Sequence, residues 1–466
     1  MKGSLIILGV VLFVLISSGC IAQTETQKTE TLYVCPSGET VSDPNLCPEI
    51  STPTPTTPAS TSSTSNIKTT TPPHTTTAPI PEMVVEEGKL SADKPAVEPH
   101  ETSNVEEGKD PAVERATQGE DCGDDGPDKF NYLPADLDKV AFIKPMGMVQ
   151  SEHVAPTDHI YLWTYQDSGA VDVYSPAGGV VTNIQHMGSF RGDNDYQMND
   201  FYVNIRHGCG LDSIFIHIDS LSLKLSKVAP VDGGFVFVDV PVEAGEVIGT
   251  YSGSLDYMVV DKSVLLDFVD LESYRTDYSD DYHSRVHISD PIAYFSDSSR
   301  LIEKSLRTAE PIGGLLDYDV DGRLVGTWFK EDTRGWSGVT PERYWDGHLA
   351  IIYDAIDPEH VIVSTGDFGG RTGQFGVKGN SPDPGAVGVG VLVKYDLLGY
   401  AYFEGDKRWD SKSLVNGLKL KNDESDYRGI VLFELVEDRK LRVEFFPDKT
   451  SSQVSGFSDN TVIYER

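Results

Sequence analysis

Three aspartates near the middle of the chain have a spacing that could do chemistry. Asp317, Asp319 and Asp321 stand at alternate positions, and a glycine follows directly. Carboxylates in this pattern, with glycine at the sixth position, open a calcium-binding loop that suits a hard cation. The twelfth position holds Trp328 instead of glutamate, and the following residues predict a strand. Two interpretations stay open: a calcium site, or an acidic turn that enters a strand.

Two histidines lie in segments whose side chains alternate between apolar and polar. Residues 201–207 end in His207 before a Gly-rich turn, and residues 213–218 carry His217. Alternation with a period of two, bounded by glycines, is typical of half-buried strands. We interpret His207 as a structural residue.

The elements that must position these residues are predicted to be strands almost throughout. Short β-rich segments recur over residues 131–295 and again from residue 314 onward, with one short helix predicted over 300–310. Strands at this regular spacing favour an antiparallel sandwich or barrel. We therefore predict a mainly β protein with a β-sheet domain over 130–300. A C-terminal antiparallel β-barrel or sandwich follows over 301–466.

The order of motifs over 154–294 resembles the lysostaphin-type (LytM-like) zinc endopeptidases. The resemblance rests on residues 171–181 (V-D-V-Y-S-P-A-G-G-V-V), 203–211 (V-N-I-R-H-G-C-G-L), 214–218 (I-F-I-H-I) and 242–249 (V-E-A-G-E-V-I-G). It implies a β-sheet fold of the duplicated hybrid motif type. Such enzymes hold zinc with the His and Asp of an early His-x-x-x-Asp motif and the second His of a late His-x-His motif. Three protein ligands and an open fourth position let the bound water ionise near neutral pH.

The early motif is incomplete in this chain. The resemblance implies His159 as the first zinc ligand, but Trp163 stands four residues on where the family has aspartate. A different register uses His153 and Asp158, which are one residue too far apart.

The late motifs match unevenly. His217 matches the histidine of the family's Tyr-x-His strand, which would help to activate water. The His-x-His motif is best matched by Leu265-Leu-Asp267, which puts Leu265 in place of the catalytic histidine and Asp267 in place of the ligand. Three alternatives follow: a zinc hydrolase using His159, His217 and Asp267, a metal-binding but inactive site, or a fold retained for binding. We favour the last, because leucine can neither bind a metal nor move a proton.

The N-terminus predicts export. An apolar run over residues 5–16 is followed by small residues and then Cys20, which is the layout of a signal peptide. The run is shorter than the roughly 20 residues of a spanning helix. Because Ser17-Ser-Gly-Cys20 resembles a lipobox, we expect a signal peptide over 1–19, lipid on Cys20, and anchoring to the outer face of the cell membrane. A plain secreted protein and an uncleaved anchor are the alternatives, and the resemblance implies a prokaryotic surface lipoprotein of archaeal type.

The cysteine count agrees with an exported protein. Of five cysteines, removing Cys20 leaves four, and an even set in an oxidising compartment suggests disulfides. Cys35 and Cys47 frame a turn-rich loop within a segment over 20–50. By elimination, Cys122 is expected to pair with Cys209.

The amino-acid composition predicts a disordered linker and disfavours one class of binding partner. The segment over 51–129 is rich in Ser, Thr and Pro and then acidic, which predicts a disordered linker. With 38 basic against 73 acidic residues and a net charge of −35, a nucleic-acid partner is disfavoured.

These observations lead to one favoured function and two alternatives. We expect a cell-surface lipoprotein whose peptidase-like domain is non-catalytic and binds or scaffolds envelope polymers or other surface proteins. The first alternative is a zinc-dependent endopeptidase or amidase of envelope peptides. The second is a carrier of a small apolar ligand, since Gly326-Thr-Trp328 is similar to the Gly-x-Trp motif of lipocalins.

Overall fold

The computed structural model describes residues 126–191, 197–231, 233–274 and 285–466, together with residues 33–34 and 40–41. The chain divides into two compact units, Met1–Thr102 and Ser103–Arg466. In the first unit, the described residues form two short antiparallel strands, β1 (Tyr33–Val34) and β2 (Thr40–Val41).

Several predictions from the sequence fall on residues that the structure does not describe. Cys20, Cys35, Cys47 and Cys122 lie there, as do the predicted signal peptide and almost all of the predicted linker. Across the described residues, none of the helices combines the length and the apolar character needed to span a bilayer.

The first half of the second unit is an antiparallel β domain built on two sheets. The larger sheet has eight strands: β3 (Val140–Lys144), β4 (Ile160–Thr164), β6 (Gly179–Arg191), β7 (Gln197–Gly208), β8 (Leu211–Ile218), β10 (Gly234–Val242), β12 (Ser254–Asp261) and β13 (Ile288–Ser289). Its order is β10-β6-β7-β8-β12-β4-β3, with β13 paired to β12. The smaller sheet has three strands: β5 (Val171–Tyr174), β9 (Ser220–Leu221) and β11 (Val247–Tyr251).

One face of the larger sheet packs against the smaller sheet. Leu162, Val203 and Tyr257 of the larger sheet share a fully buried core with Val173 and Ile248 of the smaller one. Since side chains on a strand alternate between the two faces, the neighbours of these residues lie on the opposite, outer face. That outer face carries the candidate site.

Helical structure is confined to short segments. The single α-helix of the described residues, α1 (Ser299–Lys304), is shorter than the helix predicted over 300–310. It ends because the chain from Ser305 runs beside β3, where the N–H of Leu306 donates to the carbonyl of Ile143. The 3-10 segments are Leu225–Lys227, Glu272–Tyr274, Arg285–His287, Pro291–Tyr294, Gly335–Ser337, Pro341–Gly347, Lys378–Asn380 and Ser451–Gln453.

The second half of the unit is a closed antiparallel barrel. Its eight strands are β14 (Gly326–Lys330), β15 (His348–Tyr353), β16 (Val361–Thr365), β17 (Gly373–Val377), β18 (Leu392–Glu404), β20 (Lys419–Glu437), β21 (Lys440–Pro447) and β22 (Val462–Glu465). The short β19 (Lys407–Arg408) pairs antiparallel with the end of β18. The order is β17-β16-β15-β14-β22-β21-β20-β18, and pairing of β17 with β18 closes the cylinder. The predicted mainly β fold is confirmed, and the C-terminal region is a barrel.

Buried side chains fill the barrel interior. Trp328, Val363, Tyr395 and Phe433 are fully buried members of one apolar cluster inside it. An eight-stranded barrel can either be filled by its own side chains or hold one small ligand. Here these buried side chains lie where an apolar carrier would keep space for its ligand.

The predicted calcium loop lies at the entrance to the barrel, and its carboxylates have separate partners. Asp317 accepts the N–H of Asp267 at 2.9 Å, while Asp321 forms an exposed ion pair with Arg439 at 3.2 Å. The buried Asp319 accepts the N–H of Thr327 at 2.9 Å. This arrangement is that of an acidic turn entering β14, the second of the two interpretations.

Candidate functional site

A cleft of about 590 Å³ lies between the outer face of the larger sheet and the barrel. The sheet contributes Ile214, Ile216 and Met258 to its floor, and the barrel contributes Trp336 and Tyr344 to its wall. Pockets of this size, mostly apolar with a few polar groups, are the usual form of a ligand site.

A β-bulge turns His217 toward the cleft. On β8, Ile216 and His217 together face the single residue Tyr202 of β7, since Phe201 pairs with Ile218 and Val203 with Phe215. His217 has a φ of +71°, which is uncommon for a residue other than glycine. Consecutive residues of a regular strand point to opposite faces, and a bulge re-aims one of them. As a result, Ile216 and His217 both line the cleft.

His159 enters the cleft from the start of β4. Its ring is buried, and its Nδ1 lies 2.8 Å from Oδ1 of Asp158. Its Nε2 lies 3.0 Å from Oδ2 of Asp256, but the contact lacks the direction of a hydrogen bond. It is an ion pair between buried groups.

Asp256 of β12 joins the two histidines. The same Oδ2 atom that faces His159 lies 3.4 Å from Nε2 of His217. The other nitrogen of His217, Nδ1, lies 3.2 Å from both carboxylate oxygens of Asp200. Asp158, His159, Asp256, His217 and Asp200 therefore form an alternating chain of carboxylates and imidazoles. We call these five residues the His–Asp chain.

The electrostatics of the His–Asp chain favour charged histidines. Burial would lower the pKa of His159, but Asp256 and Asp158 outweigh it and raise the pKa to about 9. Burial likewise opposes the charge of His217, while Asp200 and Asp256 raise its pKa to about 10. The pKa of Asp256 is held well below its usual value despite burial, because both histidines stabilise the carboxylate. At neutral pH both rings are imidazolium ions.

An arginine connects the His–Asp chain to the aromatic wall. Arg285 donates from Nη1 to Oδ2 of Asp158 at 2.6 Å, and its guanidinium lies 3.9 Å from the ring centre of Trp336. That contact is a cation–π interaction. Trp336 and Tyr344 in turn surround His348, whose Nε2 lies 3.0 Å from the Trp336 carbonyl oxygen. The site is thus built from both halves of the unit.

The structure brings two of the three expected zinc ligands together and places the third elsewhere. His159 and His217 meet at Asp256, whereas Asp267 is exposed and donates its backbone N–H to Asp317. Leu265 is also exposed, at 57% of its surface. Both residues follow the end of β12, so they leave the sheet that carries the histidines.

The positions that a His-x-His pair would need lie on β12 itself. This strand pairs with both β4 and β8, and alternation puts Asp256 and Met258 on the cleft side. Sequence analysis missed Asp256. The available signal was a lone carboxylate inside the apolar run 255–260.

The residues present do not fit the zinc site that the resemblance implies. In the part of the chain that the structure describes, no group of three His, Cys, Asp or Glu side chains is arranged to hold a metal ion. The carboxylate that faces both histidines belongs to Asp256, whereas the expected third ligand, Asp267, lies outside the sheet. Neither the zinc set nor the calcium set is assembled here.

His207 belongs to the sheet core, as the sequence suggested. Its Nδ1 lies 3.0 Å from the carbonyl oxygen of Gly178 and its Nε2 lies 3.0 Å from Oγ of Ser213. Burial lowers its pKa to about 4, so the ring is neutral. The neighbouring Cys209 is the one cysteine among the described residues, so its expected pairing with Cys122 stays a prediction.

Comparison with known proteins gives a distant likeness to a solved structure. No family model matches the chain, and no curated protein matches it. Among solved structures, a chain of the SpoIIQ–SpoIIIAH pore-forming complex is similar, at 14% identity, over 36% of this chain and 92% of that one, with a TM-score of 0.20. A TM-score this low does not establish a shared fold or a shared function. The function of the site is therefore inferred from its geometry.

Proposed function

We propose that this protein is a non-catalytic binding protein of the cell envelope that holds a peptide segment in its cleft. The observation that carries the proposal is the position of Asp256, whose carboxylate faces Nε2 of both His159 and His217. The nitrogens that a hydrolase would use are already paired with carboxylates.

Catalysis is disfavoured by the state of the two histidines. A general base must be neutral before it can accept a proton, and it works best with a pKa near the operating pH. The pKa values of His159 and His217 are raised to about 9 and about 10, so neither ring serves as a base at neutral pH. The apolar Met258, beside Asp256 on the cleft side of β12, supplies no replacement.

Binding is supported by the walls of the cleft. Ile214, Ile216 and Met258 offer an apolar floor, and Trp336 and Tyr344 offer aromatic faces. Aromatic side chains bury much surface at a low entropic cost. A peptide side chain that enters the cleft meets apolar surface, with the exposed edge of His217 as its polar neighbour.

The cellular setting is proposed from the N-terminal sequence. Lipid on Cys20 would anchor the protein to the outer face of the membrane, and Cys35–Cys47 and Cys122–Cys209 disulfides suit that compartment. The partners would be envelope polymers or other surface proteins.

A zinc-dependent endopeptidase or amidase is the second candidate. The observation in its favour is that the Nε2 atoms of His159 and His217 converge on one oxygen atom, Oδ2 of Asp256, at 3.0 and 3.4 Å. For zinc to bind there, both rings would have to lose their protons.

A selected peptide tests the proposed function. Full-length protein is used to select binders from a phage-displayed library of random dodecapeptides, and the affinity of an enriched synthetic peptide is measured by fluorescence anisotropy. We expect Tyr344→Ala to weaken binding at least tenfold, because the ring forms part of the cleft wall. Val389→Ala is the matched control, since this exposed apolar residue does not line the cleft. Failure to enrich any peptide, or equal affinity for Tyr344→Ala, would contradict the proposal.

A further inference from the structure

Arg285 stands at the end of a series of alternating charges. Within the His–Asp chain, both imidazolium rings lie between two carboxylates. Arg285 extends this series at one end, where its Nη1 lies 2.6 Å from Oδ2 of Asp158. Among the described residues, Asp158 is the only carboxylate that forms an ion pair with Arg285. The guanidinium therefore has a counter-charge on one side only.

The guanidinium keeps most of its hydrogen-bond donors available in the cleft. A guanidinium carries five N–H groups in a fixed fork, and one hydrogen bond joins Arg285 to the described residues, from Nη1 to Oδ2 of Asp158. The side chain lines the cleft and is 27% exposed. Contact with the ring of Trp336, whose centre is 3.9 Å away, holds it in position. A planar donor that is held in place and only partly paired is suited to bind an anion from the cleft.

The phenol of Tyr344 adds a further donor near the arginine. Its ring lines the cleft beside Trp336, with ring centroids 6.2 Å apart, and no described residue forms a hydrogen bond with its hydroxyl. Burial raises the pKa of Tyr344, while the positive charge of Arg285 opposes the shift. The phenol therefore keeps its proton at neutral pH, and the two groups are close enough to interact.

We propose that the cleft selects a peptide carboxylate, which Arg285 binds together with the hydroxyl of Tyr344. This inference rests on the proposed function and names the group that the cleft recognises. An arginine fork can hold both oxygens of a carboxylate through two parallel hydrogen bonds. The carboxylate would take the open end of the charge series and give Arg285 its second counter-charge. The apolar floor at Ile216 and Met258 would receive the neighbouring part of the peptide.

The charges that line the cleft favour a carboxylate over other groups. A basic group would face the guanidinium of Arg285 and the imidazolium ring of His217, whose side chain is 43% exposed. A neutral amide would gain hydrogen bonds without the charge, and charge-assisted hydrogen bonds are roughly twice as strong as neutral ones. Glu152 also lines the cleft, but it is exposed, so solvent and salt screen its charge. The carboxylate can belong to an acidic side chain of the peptide or to its C-terminus.

Amide substitution in the selected dodecapeptide tests the inference and separates these two sources. The peptide is synthesised with a free or an amidated C-terminus, and in each form its acidic side chains are either kept or replaced by their amides. The affinities of the four peptides for full-length protein are measured by fluorescence anisotropy. We expect the loss of one carboxylate to weaken binding to wild type by about tenfold or more. The position that responds identifies the source of the carboxylate.

Three variants connect this loss to the cleft. In Arg285→Gln, the acid and amide forms should bind within about twofold of each other, because the arginine fork is gone. Tyr344→Phe keeps the ring and should reduce the difference to about threefold. Arg343→Gln is the matched control, since Arg343 is exposed, pairs with Asp346 and does not line the cleft. It should keep the difference seen in wild type.

The outcomes separate this inference from the proposed function. Equal affinity of wild type for all four peptides, with binding still weakened in Tyr344→Ala, would overturn the inference and leave the cleft as a peptide site. That measurement uses wild type alone, so it does not depend on how well the Arg285→Gln variant folds. A preference for the acid form that persists in folded Arg285→Gln would contradict the role of Arg285. Absence of any bound peptide would overturn both proposals.

Discussion

At the scale of single residues, the site depends on the carboxylate of Asp256. It is buried beneath the cleft, and two imidazolium rings and no other described cation lie within ion-pair distance of it. Buried ion pairs contribute little net stability when both partners are present, but removal of one partner leaves an uncompensated charge. The two histidines would then be buried or half-buried cations without their shared partner.

Replacement of this carboxylate should therefore be destabilising. We expect Asp256→Asn to lower the free energy of unfolding by about 3 kcal/mol, measured by urea denaturation. Asp138→Asn is the control, because Asp138 forms an exposed ion pair with Arg300 and such pairs contribute about 0–1 kcal/mol. Equal stabilities of the two variants would contradict the role assigned to Asp256.

The same groups predict how stability depends on pH. The pKa values of His159 and His217 are raised from 6.5 to about 9 and about 10. The contribution of the two histidines to the free energy of unfolding is therefore complete below about pH 6.5, and it is lost as the pH rises through 9 and 10. The pKa of Asp256 is lowered from 3.8, so its contribution is present above that pH and is lost in acid. Unfolding free energies of wild type at pH 6.5 and pH 10 should differ more than those of a His159→Gln, His217→Gln double variant. Identical differences would refute the raised pKa values.

Sequence reasoning found part of the His–Asp chain. His159 and His217 were found by resemblance to known motifs. Asp256 stood out in the sequence as a lone carboxylate in an apolar run, but its role comes from pairing of β12 with both β4 and β8, which that local pattern does not reveal. The role of His217 also depends on a bulge, and a period-two pattern cannot show where an extra residue is inserted.

At the scale of elements, the barrel entrance is held by contacts between residues far apart in sequence. Arg466 donates to the carbonyl oxygens of Val325 and Val320, each at 2.7 Å, and pairs with Asp319 at 3.4 Å. Its guanidinium lies 3.9 Å from the ring centre of Trp328. The predicted calcium residue Asp319 thus acts here as a partner for a buried arginine.

Gly326 allows the side chains of Arg466 and Asp319 to lie close to the backbone of β14. A Cβ on Gly326 would lie 2.2 Å from Nη1 of Arg466 and 2.3 Å from Oδ1 of Asp319, at a φ of +130°. We expect Gly326→Ala to destabilise the protein by more than about 2 kcal/mol, since strain and displacement of a buried ion pair combine. In Gly417→Ala, where φ is +72° and the added Cβ would have open space, the cost should be about 1 kcal/mol. Thermal denaturation of both variants gives the comparison, and a larger loss in Gly417→Ala would contradict this account.

The strands were predictable, but barrel closure was not. Segments rich in aliphatic and aromatic residues, such as 349–353 and 441–446, predict strands that the structure contains. The choice between a barrel and a sandwich depends on the pairing of β17 with β18, which is set by tertiary packing.

At the scale of the whole molecule, the sheet domain and the barrel share apolar clusters. Phe142 and Tyr161 of the sheet domain pack with Ile356 and Leu418 of the barrel. The connecting Arg307 is buried and donates to the carbonyl oxygen of Ala355 at 2.6 Å. The cleft, whose walls come from both halves, depends on this contact.

Replacement of Arg307 should weaken peptide binding, although this residue lies outside the cleft. We expect Arg307→Ala to lower the unfolding temperature and to weaken binding of the selected dodecapeptide, although Arg307 does not line the cleft. Arg300→Ala is the control, because Arg300 is exposed. Unchanged peptide affinity in a folded Arg307→Ala protein would show that the cleft does not depend on this connection.

The most direct test of the central claim is whether a bound peptide stays intact when zinc is supplied. Full-length protein is incubated with the selected dodecapeptide and an equimolar amount of zinc, and the recovered peptide is analysed by mass spectrometry. Because His159 and His217 are both paired with Asp256, we predict that the peptide is recovered at full length, as it is with a chelator. Zinc-dependent cleavage that disappears in His217→Ala would contradict the account.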